Sequence, residues 1–64
     1  MARLGEVIVD ENYYEVFEDM GAVWYTRNGQ AKAYVVDGRL KPQETEEELT
    51  ERVRRDIRER FKEE

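Results

Sequence analysis

Sixty-four residues, 42% of them charged, with no Cys, His or Ser and a net charge of −5, make a single domain (1–64) with a small core. They exclude disulfides, ordinary structural zinc and every Ser-, Cys- or His-based catalytic triad. The acid excess is spread over both halves of the chain, so no basic face is available for phosphates and no nucleic acid is expected as a partner.

The first strand is expected over about residues 4–10, where Val7, Ile8 and Val9 cluster β-branched side chains. A weak turn at Glu11-Asn12 leads to a second strand over 13–18 (YYEVFE). Glu18-Asp19-Met20-Gly21 then suits a three-residue hairpin turn that closes on a left-handed glycine. The third strand takes 22–27 (AVWYTR). Asn28-Gly29 is the strongest hairpin signal in the chain, because a type I′ turn needs positive φ at both central residues. A fourth strand over 30–37 ends at Asp37-Gly38.

After Pro42 the periodicity changes. Thr45 and Glu48 form a capping box, and Leu49, Val53, Ile57 and Phe61 recur every four residues, which predicts a helix over about 45–62 with one apolar stripe. Glu46, Glu47 and Glu48 complement the positive end of its dipole, and Asp56/Arg60 is one of several i,i+4 pairs along its surface. The fold class predicted is α+β: a four-stranded antiparallel meander in order 1-2-3-4 with the C-terminal helix packed on one sheet face.

The expected registers group Val7, Val9, Tyr14, Val16, Ala22, Trp24, Ala31, Ala33 and Val35 on one face. That face carries almost no charge, and its alanines leave room for a helix, so the helix is assigned to it. The other face then holds Ile8, Tyr13, Phe17, Val23, Tyr25, Tyr34 and Val36, with Glu15, Arg27 and Lys32. It is too apolar for an ordinary solvated surface, so these seven residues form the candidate protein-interaction face. Three readings of it stay open: cross-strand Tyr and Val pairs or a sheet curled into a small barrel that buries this face, a second copy of the chain, or another protein.

No chemistry of catalysis, metal binding or cofactor binding is legible. The carboxylates lie in turns or on the helix surface, Asp10-Glu11-Asn12 lacks the spaced ligands of a calcium loop, and the scattered glycines form no phosphate loop. The stretch YYEVFEDMGAVWY resembles, over about a dozen residues, small antitoxins of the HicB type, whose strands pair around an acidic turn before a Glu-rich helix. The proline-rich segment after the second strand and the strand after the helix are missing, so no function is carried over. No run approaches the roughly 20 apolar residues of a membrane span, and no basic-then-apolar leader is present, so a cytoplasmic protein without a membrane partner is expected.

Two functional expectations follow. The first is a non-catalytic small soluble domain with no ligand or reaction, in which turn chemistry, capping and charge pattern agree as they do in an idealised, designed fold. The second is a small acidic protein-binding module, of the phage- or antitoxin-inhibitor type, working through its aromatic sheet face.

Overall fold

The computed structural model describes residues 2–62, except for the side chain of Asp37. Four strands, β1 (Ala2–Val9), β2 (Asn12–Asp19), β3 (Ala22–Arg27) and β4 (Ala33–Arg39), pair antiparallel in the order β1-β2-β3-β4. Helix α1 (Glu46–Arg60) lies across one face of this sheet, against β1 and β4 among others. The fold is α+β, a β-meander with one C-terminal helix, as the periodicities predict.

All three hairpins turn on two residues with positive φ, at Asp10-Glu11 (50° and 70°), Met20-Gly21 (54° and 81°) and Asn28-Gly29 (50° and 74°). This is the type I′ geometry, whose twist matches that of the strands. Only the third has the Asn-Gly composition that makes it easy to recognise. Its Gln30 amide closes the turn on the Arg27 carbonyl at 2.9 Å. The Asn28 side chain accepts from the Tyr13 amide at 2.9 Å and donates to Asn12 at 3.0 Å, tying this turn to the start of β2.

These turns set the registers, and the registers decide what is buried. The first turn falls one residue earlier than Glu11-Asn12, so Val9 pairs with Asn12 and the ladder shifts by two positions. The third hairpin also shifts by two, pairing Thr26 with Ala33 and Trp24 with Val35. A two-residue shift returns every side chain to its original face. The second turn differs by one: Met20-Gly21 is a two-residue turn that pairs Asp19 with Ala22 and Phe17 with Trp24. One residue is half the strand period, so β3 and β4 are turned over relative to β1 and β2.

The helix therefore does not cover the Trp24 face. The buried core is Val7, Val9, Tyr14 and Val16 from the first hairpin, Val23, Tyr25 and Val36 from the second, and Val53 and Ile57 from α1. Tyr34, Leu40, Leu49 and Phe61 pack around it. Ala22 is half-buried on the far side and Ala33 is exposed there, so neither makes room for the helix. Charge does not mark the outer face, because Arg27 and Lys32 sit on the helix side. The Arg27 guanidinium lies 4.4 Å from the centroid of the Phe61 ring and the Lys32 ammonium 5.2 Å from that of Tyr34, their stems lying along apolar surface.

The helix begins as its capping box dictates. Thr45 Oγ1 accepts from the Glu48 amide at 3.1 Å and the Glu48 carboxylate accepts from the Thr45 amide at 3.0 Å. The bond from the Thr45 backbone, then that with its side chain, holds Glu48 below the ordinary carboxylate range. β4 begins at Ala33 rather than residue 30, because Gln30–Lys32 follow the turn without joining the ladder.

The first turn shows what a poorly matched residue does. Glu11 holds a φ of 70°, a conformation that costs an L-residue about 1 kcal/mol. Glu11→Gly, which creates the favoured Asp-Gly pair, should raise stability by about 0.5–1 kcal/mol. An unchanged or lower urea midpoint would mean that this turn is not of the I′ type.

Candidate interaction face

The face of the sheet away from α1 is built by register. Arg3, Phe17, Trp24 and Val35 are neighbours across β1, β2, β3 and β4, followed along the strands by a row of Glu6, Glu15, Thr26 and Ala33 and then by Ile8 beside Tyr13. Phe17 and Trp24 are cross-strand partners and half-buried, while Ile8 is 65% and Val35 43% exposed. Strip and flank together expose apolar surface where an ordinary solvated sheet alternates to polar residues. The Trp24 Nε1–H is enclosed and has no acceptor among the described residues. A buried tryptophan in a settled core usually finds one.

A polar cluster borders this strip on the β1 side. Arg3 donates to Glu6 at 2.8 Å and to Glu15 at 3.3 Å, and the Tyr13 hydroxyl donates to the same Glu6 oxygen at 2.7 Å. That bond to a carboxylate raises the Tyr13 pKa. The cluster is exposed, and its pairs are of the kind that orient side chains more than they stabilise.

The seven residues of the predicted interaction face are divided between the two sides of the sheet. Ile8, Tyr13 and Phe17 lie on the outer face as expected. Val23, Tyr25 and Val36 are buried beneath the helix and Tyr34 packs on the same core, because the one-residue difference at Met20-Gly21 turned their strands over. Trp24 and Val35 take their place outside. The signal that could have placed them is Met20-Gly21 itself: glycine at the second position of a two-residue loop fits type I′ as well as the longer turn.

A second signal was present in the helix. A tyrosine buried in a core needs a partner for its hydroxyl, and Asp56 with Arg60 supplies two. Tyr25 donates to Asp56 at 2.7 Å and accepts from Arg60 Nε at 2.9 Å. Burial first, and then the bond to Asp56, push the phenol far above the ordinary tyrosine range, so it stays a proton donor. The i,i+4 pair that reads as surface decoration is the polar lid of the core.

The geometry elsewhere offers little chemistry. Among the described residues no group of three or more acidic side chains is placed to hold a metal ion, and no helix is long and apolar enough to cross a membrane. A small hollow between β1 and α1 is of mixed polarity, with Leu4, Val16, Leu49 and Val53 beside Glu6, Glu46 and Thr50 in its lining. No family model, curated protein or solved structure matches this chain.

Proposed function

We propose that this chain is a non-catalytic, cytoplasmic protein-interaction domain whose contact surface is the outer sheet face, with Phe17, Trp24 and Val35 as its anchors and Ile8 at its flank. The observation that carries this reading is the cross-strand apolar strip on the side that α1 leaves open. Half-buried aromatic anchors edged by charge are the pattern of energetically dominant interface positions. Glu6 and Glu15 beside the strip, in a chain of net charge −5, favour a partner segment that combines apolar side chains with a basic flank.

Panning a random peptide library on the wild-type domain, with Trp24→Thr/Val35→Thr as counter-selection, tests this. Peptides that bind the wild type and lose the double variant, with apolar cores and basic flanks among them, support the reading. A second reading is favoured by the agreement of capping box, turn geometry and dipole-matched charges: a ligand-free domain whose sequence serves its own folding. It predicts that panning enriches nothing that distinguishes the two proteins.

A further inference from the structure

The two edges of the sheet are finished differently. In an antiparallel meander bonded and non-bonded pairs alternate along each ladder, so the registers fix which residues aim their backbone groups outward. On β4 these include Val35, and its carbonyl accepts from Arg60 Nη2 at 3.1 Å. The Arg39 carbonyl at the end of the same strand accepts from Arg52 Nη2 at 3.1 Å. Two helix arginines thus occupy the β4 edge. On β1 the outward residues are Arg3, Glu6 and Ile8, no strand among the described residues pairs with that side, and Ile8 is exposed. An open edge of this kind is a template for another strand.

Charge identifies the strand that fits. Leu4 is an extra, bulged residue in β1, between the Arg3–Phe17 and Gly5–Val16 pairs. The bulge brings Arg3 and Glu6, three apart in sequence, onto the same outer face of the same edge. An antiparallel copy of β1 laid against this edge across a twofold, centred between Leu4 and Gly5, sets Arg3 of each chain opposite Glu6 of the other. Both side chains are about half exposed and free to exchange their present contact for the new one.

We infer that the β1 edge is a self-association surface, pairing with β1 of a second copy to form a continuous eight-stranded sheet. The contact is isologous, and the arginine-capped β4 edges end the sheet on both sides, so assembly stops at a dimer instead of growing into a fibre. The bulge lies at the twofold and interrupts the new ladder at its centre, which keeps association reversible. The proposal is independent of any ligand for the outer face.

Sedimentation equilibrium over a wide concentration range tests it by charge exchange. The wild type should move toward twice the monomer mass as concentration rises. Arg3→Glu and Glu6→Arg should each stay monomeric, because each sets like charges opposite one another across the twofold, and their equimolar mixture should regain association as a heterodimer. Circular dichroism checks that both remain folded, which their exposure favours. A wild type that is monomeric throughout, single variants that associate as the wild type does, or a mixture that stays monomeric each overturns the inference. Val35→Asp should leave the dimer intact; its loss there would assign association to the outer face instead.

Discussion

Tyr25→Ala is expected to lower stability by about 3–5 kcal/mol, which in a domain of this size leaves little or no folded population. Tyr25 is fully buried, at 0% exposure. Its ring meets Tyr14 edge-on at 5.8 Å and stacks on Tyr34 at 5.6 Å, so truncation opens a cavity between both hairpins and the helix. Its hydroxyl also joins the sheet to α1 through Asp56 and Arg60. Tyr25→Phe separates the two contributions: it keeps the packing and leaves Asp56 and Arg60 short of one partner, for an expected loss of about 1–3 kcal/mol. Urea unfolding of the three proteins checks this. A loss below about 1 kcal/mol for the alanine variant would return Tyr25 to the surface.

The elements of this fold were legible because each has a local cause. Val7, Val9, Tyr14 and Val16 alternate as a half-buried hairpin must, Thr45 and Glu48 cap the helix, and the spacing of Leu49, Val53, Ile57 and Phe61 has only one helical reading. Which side of β3 faces the core has no local cause. It depends on whether Met20 and Gly21 alone span the turn, a choice between two loops of comparable local free energy that the core settles. Packing decides for the two-residue form: Val23, Tyr25 and Val36 then meet Val53 and Ile57, and Tyr25 finds Asp56 and Arg60. Met20 accepts a φ of 54° in exchange. The candidate face is divided for the same reason, since four of its seven residues lie on the strands that are turned over.

The arrangement of faces predicts a sharp asymmetry between two valines of similar sequence context. Val23→Asp should abolish folding. Val23 is 0% exposed and lies opposite Glu18 in the ladder, so an aspartate there would be buried beside a like charge. The penalty of several kcal/mol for an unpaired buried carboxylate is comparable to the whole stability of a small domain. Val35→Asp should stay folded within about 1 kcal/mol, because Val35 is 43% exposed on the outer face and a carboxylate there remains in water. Amide dispersion in NMR spectra of the two variants gives the answer directly: a folded Val23→Asp beside an unfolded Val35→Asp would place the helix on the Trp24 face. With the expected pattern, the cost of placing Trp24 and Val35 outside falls on solubility instead of folding, which is the condition under which an apolar strip can persist as a contact surface.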